Sequence, residues 1–235
     1  MSYVVVGLNH RTVPLEILER MSIGSDELPK ALHNLARREH LAEVSVLSTC
    51  NRTEIYALCT RFHQAVHDVS EFLAEQSGVE TERFSEHLYT YYDDAAVVHL
   101  FGVAAGVDSM ILGEGEILGQ VREAWGVATR EGTSRQALSR AFRRAVEVGK
   151  RSRAETAIGR GAVSVSSAAV ALASERTGSL SGRRVLVLGA GDMGEGMAVA
   201  LAAAGVEEIV IANRSVKRGS ELAAKVRGKA IAAAL

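Results

Sequence analysis

Arg184-Val185-Leu186-Val187-Leu188-Gly189-Ala190-Gly191-Asp192-Met193-Gly194 decides the fold of the last third of this 235-residue chain. Arg184-Leu188 is a short apolar run bounded by glycine, which reads as a buried strand. A G-x-G-x-x-G loop follows at once and leads into the helical run Glu195-Ala204. A lone loop of this type is weak evidence, but its place between strand and helix is the one that dinucleotide binding requires. Gly189 permits the tight turn, Gly191 lets the backbone approach a pyrophosphate, and Gly194 allows close helix-strand packing. The helix N-terminus adds the positive end of its dipole for the phosphates.

Outward from the loop, Glu208-Ala212 reads as the next strand and ends in Asn213-Arg214-Ser215. An NAD-selective protein would place Asp or Glu there for the ribose hydroxyls, whereas an arginine pairs with a 2′-phosphate and points to NADP. Two other readings stay open: a solvated loop arginine, and a Rossmann site for S-adenosylmethionine or flavin. Gly189, Ala190, Gly191, Asp192, Met193 and Gly194 with Asn213, Arg214 and Ser215 are the candidate NADPH-binding residues. A complete dinucleotide fold has about six strands, and only about fifty residues follow Arg184, room for β-α-β-α and a third strand starting at Lys229-Ala232. The expectation is a partial Rossmann doubly wound domain without its nicotinamide half, and no tight cofactor binding by this chain alone.

Upstream, Gly178-Ser179-Leu180-Ser181-Gly182 reads as a short hinge. The first ninety residues alternate in period: Tyr3-Leu8, Glu43-Leu47 and Glu54-Leu58 as strands, Asp26-Arg38 and Phe62-Gln76 as amphipathic helices, and a closing strand near His87-Tyr92. That pattern suggests a small split β-α-β sandwich of the α+β class. From Asp93 the texture becomes Ala-rich and Arg-rich, with helices expected over Asp93-Gly106, Gly119-Arg130, Ser134-Arg153 and Val163-Arg176. Asp93 and Asp94 suit a first helical turn, where negative charge complements the dipole. The expected architecture is therefore α+β followed by α/β, with domains over 1–160 and 161–235.

Hydrophobic residues make up 47% and charged residues 23% of the chain, which excludes a disordered tail, a fibrous repeat and a disulfide-stapled miniprotein. The formal net charge is −1, so no global basic field draws the protein to nucleic acid or to an anionic membrane. Within Arg130-Arg160, however, nine Lys and Arg face three acids, net +6, and the remaining residues carry −7. Arg140, Arg144 and Arg151 share one helical face and Leu138, Phe142 and Val146 another. Phosphate contact and a merely solvated face both fit this pattern. The two cysteines, Cys50 and Cys59, exclude a disulfide framework and an all-Cys zinc site. A reducing cytoplasm is the expected location, with no export signal and no apolar stretch long enough to span a membrane.

Cys50 lies in Ser48-Thr49-Cys50-Asn51-Arg52-Thr53-Glu54, a polar connection between two strand-like runs, with Arg52 two residues away. An exposed thiol beside positive charge suits thiolate chemistry; a structural thiol fits equally well. Cys59 ends an alternating apolar run and reads as a small core residue. His99, Gly102, Gly106 and Ser109 would share one face of a continuous helix, leaving open space beside the imidazole.

This turn, together with Gly7-Leu8-Asn9-His10-Arg11-Thr12, Gly113-Glu114-Gly115-Glu116-Ile117-Leu118-Gly119-Gln120-Val121 and the Gly189-Gly194 loop, resembles bacterial glutamyl-tRNA reductase, in that family's order over essentially the whole chain. The resemblance implies an oxidoreductase of tetrapyrrole (porphyrin, haem) biosynthesis that reduces glutamyl-tRNA(Glu) to glutamate-1-semialdehyde with NADPH. It implies Cys50 as the nucleophile that forms a glutamyl thioester and His99 as the supporting histidine. It implies Arg52 as the holder of the substrate carboxylate, with Thr49 and Asn51 flanking, and Ser109, Glu114, Gly115, Glu116 and Gln120 as further substrate contacts. Glu114 would meet the α-ammonium, and Glu116 stands where many members carry Gln. The resemblance further implies a homodimer at full length, glutamate-1-semialdehyde aminomutase as a channelling partner and haem as a feedback regulator. Two competing readings are another NADP-dependent dehydrogenase of the shikimate-dehydrogenase type, which needs no cysteine turn, and a non-catalytic regulatory or interaction fragment.

Overall fold

The computed structural model describes residues 1–159 and 164–232, and the chain divides into two compact units, 1–162 and 163–235. Unit one is built on four strands, β1 (Ser2–Asn9), β2 (Leu41–Ser48), β3 (Arg52–Cys59) and β4 (Tyr89–Tyr92). They form an antiparallel sheet in the order β2-β3-β1-β4. Between β1 and β2 lie α1 (Leu15–Met21) and α2 (Leu28–Ala36), and between β3 and β4 lies α3 (Phe62–Ser77); α4 (Asp94–Ala105), α5 (Glu116–Arg130) and α6 (Gln136–Glu155) follow.

The sheet is covered on both faces, which explains why its strands read as nearly continuous apolar runs. On β1, Val4, Val6 and Leu8 pack with Leu32, Val69 and Phe72 of α2 and α3. Val5, between them, packs with Leu100, Val121 and Phe142 of α4, α5 and α6. On β3, Ile55 and Ala57 join the first core and Tyr56 the second. This is the two-residue period of a strand with helices on both sides. Arg52 and Glu54 share the Tyr56 face and are thereby delivered to the α4–α6 side.

Two local features fix the second layer. An irregularity in β2 between Leu41 and Glu43 accompanies a buried Glu43 whose carboxylate accepts hydrogen bonds from the backbone N–H groups of Arg135, Ala137 and Leu138 at 2.9–3.1 Å. A carboxylate at that point satisfies donors that the first turn of α6 cannot pair and complements its dipole. Asp93, at φ 47°, precedes α4, and its N–H and side chain both bond the backbone of Tyr3. Asp93 is thus the residue before the first turn and Asp94 alone occupies it.

The expected strands and helices of this unit appear with shifted ends. Sequence periodicity missed α1, whose seven residues bury only Leu18 and Met21. It also set the start of α5 three residues late, because Gly119 reads as a breaker.

Unit two contains α7 (Val165–Thr177), β5 (Arg184–Leu188), α8 (Asp192–Ala203), β6 (Glu208–Asn213), α9 (Val216–Lys225) and β7 (Lys229–Ala232). Its strands are parallel in the order β5-β6-β7, with Val187, Ile209, Ile211, Ala198 and Leu222 in the core. This is the strand-helix-strand-helix-strand half of a doubly wound sheet. Val163 and Arg160, at the expected start of α7 and in the basic segment, lie outside the described residues. Among the described residues no helix is long and apolar enough to cross a membrane.

Candidate active site

The β2–β3 connection is a tight turn. The Ser48 and Thr53 hydroxyls meet at 3.3 Å, Thr49 N–H donates to Arg52 O, and Thr49 Oγ1 accepts from Asn51 N–H. His10 N–H donates to Asn51 O and ties the turn to the end of β1. Cys50 sits in this turn and is exposed, whereas Cys59 is buried and its thiol donates to Ser2 O. Burial raises the Cys59 pKa, so the inert reading of that residue holds.

Behind the turn lies a buried polar cluster. Glu54 has no solvent-accessible side-chain surface. Its Oε1 accepts from Arg52 Nη1 at 2.8 Å, His99 Nε2 at 2.8 Å and the Tyr89 hydroxyl at 2.5 Å; its Oε2 accepts from the Tyr56 hydroxyl at 2.5 Å. Burial by itself would raise the Glu54 pKa, but the His99 hydrogen bond and the Arg52 charge prevail and lower it from 4.5 to about 2. Burial likewise opposes the charge on Arg52, and Glu54 overrides it, so its pKa is raised. Burial, then the Glu54 charge, push Tyr56 and Tyr89 upward, which keeps both phenols as neutral donors.

Because Glu54 is ionised, His99 Nε2 carries a hydrogen toward it, and Nδ1 is the ring nitrogen that Glu54 does not engage. The ring packs in a cluster with Tyr89 and Tyr91, with centroids 5.4 and 5.0 Å away and the two tyrosines 5.6 Å from each other. Glu54, His99 and Asp108 bring donor atoms within 4.8 Å of one another, but Arg52 Nη1 already bonds both carboxylates, at 2.8 and 3.1 Å.

Sequence reasoning named Arg52 and His99 but missed Glu54, Asp108 and the two tyrosines. The legible signal was Glu54 itself, a carboxylate inside an otherwise apolar strand, which demands partners. The proposed helical face His99, Gly102, Gly106 and Ser109 is corrected. Helix α4 ends at Ala105, Gly106 turns left-handed, and Ser109 arrives on the following loop. Ser109 is buried and its Oγ has no hydrogen-bond partner among the described residues. The Glu114 carboxylate accepts from the N–H groups of Glu116 and Ile117 at the start of α5. Gly115 and Glu116 are exposed and Gln120 is half-buried. Arg153, read as part of the basic surface, instead bonds the carbonyls of Ala104 and Glu114 and clamps this loop.

In unit two, Gly189 adopts φ 98° and a Cβ on Gly194 would lie 2.2 Å from Gly189 O, so both positions require glycine. A Cβ on Gly191 would meet nothing within 4 Å, leaving open space at the N-terminus of α8 where a phosphate fits. Ala190 N–H donates to Asn213 Oδ1 at 3.1 Å, and Asn213 Nδ2 donates to Ser215 O, so Asn213 braces the two loops. Ser215 caps α9, and Arg214 is exposed with no ion pair among the described residues. Met193 is 37% exposed in the first turn of α8; the side chain of Asp192 lies outside the described residues. These residues fit a dinucleotide carrying a 2′-phosphate.

Fold and site define a class: an α+β unit that offers an exposed cysteine two residues from a buried guanidinium-carboxylate-imidazole cluster, followed in sequence by the opening half of a dinucleotide-binding fold. The family described as glutamyl-tRNAGlu reductase, N-terminal domain, matches residues 6–156, and that of shikimate/quinate 5-dehydrogenase matches residues 171–235. The chain is 47% identical over 97% of its length to glutamyl-tRNA reductase of Paenibacillus macerans, covering 52% of that protein. To the Pelotomaculum thermopropionicum enzyme it is 46% identical over 98% of its length, again covering 52%. The solved structure of glutamyl-tRNA reductase from Methanopyrus kandleri matches with a TM-score of 0.61 at 40% identity, over 98% of this chain and 54% of that one.

The chain belongs to the glutamyl-tRNA reductase family. It spans about half the length of the curated relatives it matches. The shikimate-type likeness is confined to the dinucleotide unit, so the competing dehydrogenase reading is not favoured.

Proposed function

We propose that the chain carries the acyl-transfer half of glutamyl-tRNA reductase. The observation that carries the reading is the exposed Cys50 in the turn that leads into Arg52 and Glu54. The Cys50 thiolate attacks the ester carbonyl of glutamyl-tRNA(Glu), the bond to the tRNA 3′-terminal oxygen breaks, and a glutamyl thioester remains. Arg52 holds the substrate carboxylate by charge-assisted hydrogen bonds. His99, its Nε2–H fixed on Glu54, offers Nδ1 to take the thiol proton and return it to the departing oxygen. Thr49, Asn51, Ser109, Glu114, Gly115, Glu116 and Gln120 line the same substrate region.

The Gly189–Gly194 loop and Arg214 would hold NADPH by its pyrophosphate and 2′-phosphate, and the bound dinucleotide would supply the hydride for release of glutamate-1-semialdehyde from the thioester. That is the first step of tetrapyrrole synthesis from glutamate. Dimerisation at full length, hand-over to an aminomutase, haem feedback and a cytoplasmic location belong to the same reading and rest on the family resemblance.

The test separates the two half-reactions. This chain, given glutamyl-tRNA, releases free tRNA and glutamate as water hydrolyses the thioester, without needing NADPH, and Cys50→Ser abolishes the release. Deacylation by Cys50→Ser at a near-normal rate would refute thioester chemistry.

A further inference from the structure

The loop from α4 to α5 closes on itself through Gly113 N–H and Gly106 O at 2.9 Å, making a compact loop whose ends meet. Gly113, at φ 75°, lies so close to Ile158 that a Cβ would come within 1.9 Å of its carbonyl oxygen, which fixes that end. The loop carries Asp108, and among the described residues the side-chain partners of this carboxylate are both guanidiniums. Arg11 Nη1 bonds Oδ1 at 3.0 Å and Arg52 Nη1 bonds Oδ2 at 3.1 Å. Arg52 Nη2 also bonds the Asp108 carbonyl, and Arg11 Nη2 the Ser109 carbonyl at 3.4 Å.

Two cations each holding one oxygen of a carboxylate is an arrangement that accepts any carboxylate of suitable reach. Arg52 does not need Asp108 for neutralisation, since fully buried Glu54 bonds it at 2.8 Å. The Asp108 side chain is 27% exposed and that of Arg11 53%, so the bridge faces water and can exchange. Replacing it by another carboxylate leaves two guanidiniums and two carboxylates, with no uncompensated buried charge. Ser109 Oγ, on the same loop and buried without a hydrogen-bond partner among the described residues, is a costly feature in a resting arrangement, and a ligand or a shift of the loop would relieve it.

We propose that Asp108 is an internal stand-in for the substrate carboxylate, and that Arg11 is the second guanidinium which, with Arg52, receives that carboxylate when the loop withdraws its own. The inference rests on the reading of Arg52 as the carboxylate holder and adds Arg11 and Asp108 as specificity-determining residues. Self-occupancy lowers apparent affinity by the fraction of molecules in which the site is open, and it rejects neutral analogues that cannot displace a charged group.

The test is equilibrium titration of the chain with glutarate, a five-carbon dicarboxylate that cannot acylate Cys50, and with neutral glutaramide. Asp108→Asn is expected to bind glutarate roughly five- to tenfold more tightly than the parent chain, with glutaramide unchanged. Adding Arg11→Gln to Asp108→Asn is expected to reverse most of that gain. Asp108→Ala, run beside Asp108→Asn, guards against a variant-specific folding defect, and tighter glutarate binding by either supports the proposal.

Unchanged or weaker glutarate binding in both variants overturns it, as does an equal gain for glutaramide. Because glutarate binding needs no chemistry, this outcome is independent of whether Cys50→Ser abolishes deacylation.

Discussion

Glu54 is a carboxylate without access to water that is nonetheless ionised, and its charge favours the protonated forms of Arg52, Tyr56 and Tyr89. Among the described residues four donors compensate it, and losing the charge would leave Asp108 as the one described carboxylate opposite buried Arg52. Removing one partner of a buried pair costs about 3–5 kcal/mol, so Glu54→Gln should lower the denaturant midpoint substantially. The folded pKa of Glu54 is about 2 against an ordinary 4.5. A depressed carboxylate contributes stability that is full above the unfolded pKa and is lost as pH falls toward the folded value. Unfolding free energy should therefore decline between roughly pH 5 and pH 2, by about 3 kcal/mol from this group. The decline should be shallower in Glu54→Gln, as measured by denaturant titration across that range; an identical slope would show that Glu54 is not the ionised hub.

At the scale of the element, β3 and the loop after β6 show how much a short segment decides. Alternation on β3 sends Ile55 and Ala57 to one core and Arg52, Glu54 and Tyr56 to the other side. One residue of slip would bury the charges among the leucines of the α2–α3 side and send Ile55 and Ala57 to the α4–α6 side. The turn before it is short and held by Thr49 and His10, which keeps Cys50 at the surface. At the end of β6, Asn213 is committed to bracing the Ala190 loop, while Arg214, the next residue, is left exposed. Arg214→Ala should weaken NADPH binding roughly tenfold or more while leaving NADH nearly unchanged, since only the former carries the 2′-phosphate. Binding titrations on the full-length protein check this, and equal losses would refute the assignment.

For the whole molecule, a net charge of −1 conceals a basic helix. On α6, Leu138, Phe142 and Val146 are buried, while Arg140, Arg143, Arg144, Lys150 and Arg151 are exposed. Arg144 and Arg151 pair with Glu147 and Glu155, and Arg153 is drawn inward to the loop that carries Glu114. Neutralising Arg140, Arg143 and Lys150 together should flatten the salt dependence of tRNA binding by up to about three in the log-log slope. Deacylation of a small glutamyl ester should be unaffected; an unchanged slope would mark the face as merely solvated.

Strand and helix identities were legible because their signals are local. The Gly189–Gly194 loop sits between a strand and a helix, the periods of Tyr3-Leu8 and Phe62-Gln76 differ, and the Cys50 turn is polar. Residue type and short spacing made the fold class legible, whereas Cys50, Arg52 and His99 stood out as a set through the family resemblance. Only tertiary structure decided that His99 answers to Glu54, that Asp108 bridges Arg11 to Arg52, that Glu114 caps α5 and that Arg153 turns inward. Those pairings join residues 39 to 97 positions apart or depend on where a helix stops, as at Gly106. Packing of three helices on one face of a sheet, not any spacing along the chain, brings them together.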